Sequence, residues 1–208
     1  MLLRFVCLQS PCVEQTVDFY AALGLPVLAR GPGFGVLRAG TTQLMWQQAP
    51  PDRRPAYHFA FDVPRNQLAE ASAWLSGRVA LLEQEGATKF DFPDWNASAV
   101  YFGDPAGNIV EFIARSNLAN DHHGEFGPEQ ILRVSEVGWP VEDPEQAQQQ
   151  FGLSAWRDYG PFKALGGETG LILLVPEGRP WKPTDIPARI APATVVCEID
   201  GEIRQWSR

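Results

Sequence analysis

The sequence predicts an α+β fold made of repeated β-α-β-β-β units, and three observations carry that expectation. The chain is punctuated by 19 glycines and 18 prolines, which favours many short strands over long helices. An order of strand, helix and three further strands runs over residues 1–55 and starts again at residue 56. The first unit then recurs further on. Phe34-x-x-Leu37-x-x-x-Thr41 matches Phe162-x-x-Leu165-x-x-x-Thr169, and Leu23-Gly24-Leu25 matches Phe151-Gly152-Leu153 at the same spacing. Internal repetition of this kind decides an architecture before any single residue can.

Each element has a local reason. Residues 2–8 are apolar and read as a strand. Residues 11–23 place Val13, Val17, Phe19, Tyr20 and Leu23 at roughly helical spacing. Gly24 suits the C-cap of that helix, and Pro26 cannot continue it. Short apolar segments at 26–29, 33–38 and 41–47 supply three strands, and a polar, proline-rich stretch at 48–55 closes the unit. Residues 57–63 alternate as a strand. Leu68, Ala71, Trp74 and Leu75 form a helical stripe over 66–75, which Gly77 stops. Strands at 80–83, 99–102 and 109–114 follow, with a long loop at 86–96. Residues 117–130 are polar, contain Gly124, Gly127 and Pro128, and read as an interdomain linker. Glu136-Val137-x-Trp139 opens a third unit as Phe5-Val6-x-Leu8 opens the first. Pro192-Ala193-Thr194-Val195-Val196 echoes Pro55-Ala56-Tyr57-His58-Phe59 and opens a fourth, which is truncated. The expected domains are residues 1–116, pairing units 1–55 and 56–116, and residues 131–208, pairing the third unit with the truncated fourth.

Composition narrows the function. A net charge of −8 with no Lys/Arg cluster excludes a nucleic-acid groove. No apolar run approaches the ~18 residues of a membrane span. Arg4 and Pro11 break up the apolar start before it could serve as a signal peptide. The odd number of cysteines, Cys7, Cys12 and Cys197, without zinc-like spacing, suits a reducing cytoplasm and small buried hydrophobes. His122 and His123 fall in the linker and read as a solvated loop, and Arg53 and Arg54 read as surface charge.

The most informative stretch is a hairpin. Residues 99–102 and 109–113 flank a turn in which Pro105 presets φ, Asp104 accepts backbone hydrogen bonds, and Gly107-Asn108 tolerate positive φ. Glu111 interrupts the second strand, Ile-Val-x-Phe-Ile. Inside a protein a carboxylate there demands a cation, a proton or a donor; the alternative is the solvent face of an edge strand.

Several segments carry a family resemblance. They are Phe19-Tyr20-Ala21-Ala22-Leu23-Gly24-Leu25, Tyr57-His58-Phe59-Ala60-Phe61-Asp62-Val63, and Gly103-Asp104-Pro105-Ala106-Gly107-Asn108-Ile109-Val110-Glu111-Phe112. Glu136-Val137-Gly138-Trp139-Pro140-Val141-Glu142-Asp143 adds a fourth. With these the chain resembles the vicinal oxygen chelate superfamily of glyoxalase I, bleomycin- and fosfomycin-resistance proteins and extradiol dioxygenases. The resemblance implies paired units whose sheets curl into a cup, with divalent-metal ligands on the first and last strands of each unit. Carried over position by position, these fall on Phe5, which coordinates nothing, and on Gln43, His58 and Glu111. His58 and Glu111 are then the implied catalytic residues. Together with Gln43 as a weak third donor, they are the implied ligands of Fe, Mn, Ni or Zn. In the second cup the positions fall on Glu136, Leu171 and Val195, so no metal is expected there. That half is expected to be structural or to cover the substrate.

Two functions follow from the resemblance. One is a metal-dependent lyase, isomerase or dioxygenase acting on a small molecule with adjacent oxygens, favoured by His58 and Glu111. The other is a metal-free small-molecule binding protein of the bleomycin-resistance type, favoured by Phe5 and the acidic charge. Phe5, Trp46, Trp95, Tyr101, Trp139 and Trp156 are available to line the cups, and the resemblance also implies a homodimer.

Overall fold

A computed structural model describes residues 1–208. The first unit consists of β1 (Leu2–Ser10), α1 (Val13–Ala22), β2 (Val27–Gly31), β3 (Phe34–Ala39) and β4 (Thr42–Gln48). The second has β5 (His58–Val63), α2 (Leu68–Ser76), β6 (Lys89–Phe92), β7 (Ala97–Gly103) and β8 (Ile109–Arg115). The third has β9 (Arg133–Val141), α3 (Pro144–Phe151), β10 (Ala155–Asp158), β11 (Lys163–Gly167) and β12 (Gly170–Pro176). A hairpin of β13 (Ala193–Ile199) and β14 (Glu202–Ser207) completes the α+β architecture. No helix is long and apolar enough to cross a membrane.

The helices end where side-chain chemistry ends them. α1 buries Val13, Thr16, Val17 and Tyr20 on one face, and Gly24 follows it with φ +84°. At α3, Asp143 accepts from the amides of Glu145 and Gln146 at 2.9 and 3.1 Å, and Gly152 closes the helix with φ +62°. In the second unit the second strand is not residues 80–83, where only Leu81 bridges to Phe102; it is β6, inside the expected loop. Lys-Phe-Asp-Phe alternates polar and apolar over just four residues, too briefly to stand out in the sequence.

Two sheets result, in the orders β14-β13-β1-β4-β3-β2 and β10-β11-β12-β9-β5-β8-β7-β6. The units therefore pair differently from the sequence expectation. β5 lies antiparallel to β9, so the second unit shares its sheet with the third, while β1 lies antiparallel to β13, so the first shares its sheet with the hairpin. Residues 117–130 thus link two neighbouring halves of one sheet. Nor do the sheets have separate cores. Trp46 of β4 stacks on Tyr20 at 5.8 Å, and both rings contact Phe59 of β5, inside a single hydrophobic cluster.

Strand period two then sorts the eight-stranded sheet into faces. Phe59, Phe61, Val110 and Phe112 point into the shared core. Ala60, Ile109 and Ile113 pack on the opposite, concave face, together with Tyr101 and Trp181.

A buried His–Glu–Glu cluster in an aromatic cavity

His58, Glu111 and Glu136 meet on that concave face, each offering a donor atom within 4.8 Å of the others. Three strands lying side by side, β8, β5 and β9, bring them there. In the ladders Ala60 sits opposite both Glu111 and Glu136, so the two carboxylates flank β5 from either side. A register shift in the β5–β9 pairing leaves Ser135 between the paired residues Val134 and Glu136.

The turn before β8 fixes the register. Asp104 accepts from the amides of Ala106 and Asn108 and from the Asn108 side chain, at 2.9, 3.0 and 2.8 Å. Tyr20 donates its hydroxyl to the same carboxylate at 2.8 Å. Asn108 Oδ1 in turn accepts from the amide of Tyr57 at 2.8 Å, clamping the residue before His58 to the residue before Ile109. β8 is a central strand, and Glu111 is 2% exposed, so the edge-strand alternative fails.

The electrostatics follow from burial. His58 Nδ1 contacts the carbonyl of Ile109 at 3.1 Å; a carbonyl only accepts, so Nδ1 carries the hydrogen and Nε2 keeps its lone pair. Burial lowers the His58 pKa to about 4, the bond to Ile109 works against that, and Arg179 lowers it further. Burial pushes Glu111 well up, and the negative charge of Glu136 adds to this against Arg115 and Tyr101. His58 Nε2 and Glu111 stand 3.5 Å apart, and burial pushes each toward its uncharged form.

Glu136 is raised by burial as well, but Arg115 opposes it by donating directly to its carboxylate. Arg115 also donates to Asp62 at 3.2 Å and to Ser135 at 3.1 Å, and Arg133 reaches Asp62 at 3.1 Å from the other side. These contacts hold Glu136 in place.

The cluster forms part of the wall of a cavity of about 280 Å³, whose other walls are mostly aromatic: Phe92, Trp95, Tyr101, Phe162 and Trp181. One imidazole lone pair and two carboxylates form a donor set suited to a divalent transition metal. The hydrogen bond from Nδ1 and the guanidinium on Glu136 are the supporting contacts such ligands usually have. The fourth family position is apolar. Leu171 pairs with Glu136 as Ile109 pairs with His58, so the counterpart of Glu111 is Leu173, on the cavity wall.

The expectations can now be placed. His58 and Glu111 come together; Gln43 does not join them. It is exposed on β4, opposite Phe5 in the parallel ladder with β1, and both belong to the six-stranded sheet. Glu136, expected in a separate empty cup, completes the cluster because β9 pairs with β5 and not with the fourth unit. Of the aromatic candidates, Trp95 and Tyr101 line the cavity, Trp156 packs on Trp95 at 5.0 Å, and Trp46 is core. None of the three cysteines lines the cavity, and burial lifts Cys7 to about 11 and Cys197 to about 12. Arg179 and Trp181 were missed; they lie outside every repeat, where periodicity gives no signal.

The fold is two curled sheets built from β-α-β-β-β units and a terminal hairpin, with the polar cluster on the eight-stranded one, as the family resemblance implied for the architecture. Solved structures agree. A protein from Bacillus subtilis subsp. subtilis str. 168, provisionally named a dioxygenase, superposes with a TM-score of 0.59 at 21% identity over 86% of this chain. Glyoxalase I from Zea mays does so with 0.56 at 14% identity over 83%. The chain spans 65% of the first protein's length and 66% of the second's. A scan of protein-family models and a search of curated proteins find no match.

Proposed function

We propose that this chain is a divalent-metal-dependent enzyme for a small molecule with two adjacent oxygens, in which His58, Glu111 and Glu136 are the protein ligands. The observation that supports it is the convergence of these three buried side chains on neighbouring strands of one cup. A buried cluster with one free imidazole lone pair and two carboxylates raised by burial is costly unless something binds it. Bound there, a divalent ion would act as a Lewis acid toward both substrate oxygens.

This chain's own residues do the rest. His58 presents Nε2 because its Nδ1 is committed to Ile109, Arg115 orients Glu136, and the aromatic walls exclude water around the substrate. With Leu173 in the fourth position, three protein donors leave more open coordination than four would, which favours the dioxygenase form of the reading over the isomerase form.

The test is elemental analysis of protein purified without chelator. About one equivalent of Fe, Mn, Ni or Zn is expected in the wild type and none in His58→Ala or Glu136→Ala. A wild-type protein that stays metal-free and cannot be reloaded would overturn the proposal in favour of metal-free ligand binding in the same cavity.

A further inference from the structure

One wall of the cavity comes from the segment between β12 and β13, which belongs to no repeat. Its own backbone stiffens it: Gly178 donates to Ala188 at 2.7 Å, Ala188 to Arg179 at 2.8 Å, and Trp181 to Ile186 at 2.9 Å. Trp181 is 2% exposed, with its ring 5.1 Å from that of His58. It fits because residue 138 is glycine; a Cβ there would stand 2.6 Å from the indole.

Two donors on this wall have no acceptor. The Trp181 indole N–H is buried without a partner. The guanidinium of Arg179 is half-buried, with Cζ 5.0 Å from the centre of the Phe162 ring, and burial alone shifts its pKa, downward, with no anion to offset it. Lys182 lines the same cavity. Guanidinium and indole N–H donate only, so their complement is a group that only accepts. Of the nearby carboxylates, Glu136 already accepts from the Arg115 guanidinium.

We infer that this wall is an anion subsite, and that the cavity takes a small aromatic carboxylate whose carboxylate sits on Arg179 and whose ring lies among Trp95, Tyr101 and Phe162. The placing of the ligand's adjacent oxygens at His58, Glu111 and Glu136 rests on the proposed function; the subsite itself needs no metal.

Benzoate and benzamide have nearly the same shape and differ in charge, so calorimetric titration of both into chelator-treated protein tests the subsite. Wild type is expected to bind benzoate at least about tenfold more tightly than benzamide, the margin of pairing a guanidinium with a charged acceptor over a neutral one. Arg179→Met, which keeps the unbranched stem, is expected to abolish that preference. Equal affinities in the wild type, or a preference that survives in Arg179→Met, would overturn the inference. Mn²⁺ uptake by the same samples separates the two readings. Uptake without a benzoate preference sinks the subsite alone, and a preference without uptake sinks the metal site alone.

Discussion

Arg115 is the side chain whose loss should be felt most. It is fully buried at the end of β8 and donates to Asp62, Ser135 and Glu136. In Arg115→Met, Asp62 still has Arg133, but Glu136 loses its only guanidinium. Breaking a buried pair from one side costs about 3–5 kcal/mol, because the remaining charge is stranded. In a chain of this size that corresponds to a fall in Tm of roughly 6–20 °C.

The defect should also depend on pH, and the sign is fixed. Burial already raises Glu136 in the folded state, and removing Arg115 raises it further. A carboxyl raised in this way favours folding at acid pH and loses that contribution as pH climbs through the folded value, so the defect grows as pH rises above the ordinary carboxylate range. Thermal and urea unfolding of metal-free protein, followed by circular dichroism, would measure both effects. Arg133→Met is the control: its side chain is 18% exposed, and Asp62 retains Arg115, so the loss should be about 1 kcal/mol. If Arg115→Met unfolds within about 1 kcal/mol of wild type at pH 8, water or protons, not the guanidinium, balance this cluster.

Two further outcomes follow. In the metal-free protein the His58 ring should stay neutral at pH 5, because its folded pKa of about 4 lies below the ordinary 6.5. Its contribution, about 3 kcal/mol, is full above 6.5 and is lost as pH falls through 4, and a proton NMR titration with a midpoint near 6.5 would refute the assignment. Gly138→Ala should displace Trp181 from His58, costing about 1–3 kcal/mol and changing tryptophan fluorescence, since the added methyl would lie 2.6 Å from the indole and 3.1 Å from the His58 carbonyl. Wild-type fluorescence and stability in that variant would mean the wall moves freely.

The repeats and the hairpin around Asp104 were legible because they rest on local chemistry: turn residues at fixed offsets, apolar periodicity, and a carboxylate inside an apolar strand. Glu111 stands out for the same reason, whereas His58 was singled out only by the family resemblance. Glu136 was visible as a residue but assigned to the wrong cup. Nothing local says which edge of a strand a later unit will take, and pairing β9 with β5 is a choice made in three dimensions. Gln43 and Phe5 failed as site positions through the same choice, since β1 and β4 went into the other sheet. Lys89–Phe92 was too short to read, and Arg179 and Trp181 sit in a segment without periodicity.

The split into two sheets also dictates an order of assembly on the ribosome. All three cluster residues lie on strands between His58 and Val141, so that half of the molecule can form as it emerges. β1 is made first, yet its outer neighbour is β13, and Phe5 must wait for Val196 to be synthesised before its ladder closes. Until then an apolar strand edge stays open to other chains, and contacts of such long sequence separation are the slow ones in folding. Growing chains of this protein should therefore pass through a stage in which the strands carrying His58, Glu111 and Glu136 are already paired while the opposite sheet is sticky. Overproduction should accordingly favour inclusion bodies nucleated at β1, relieved by slower synthesis.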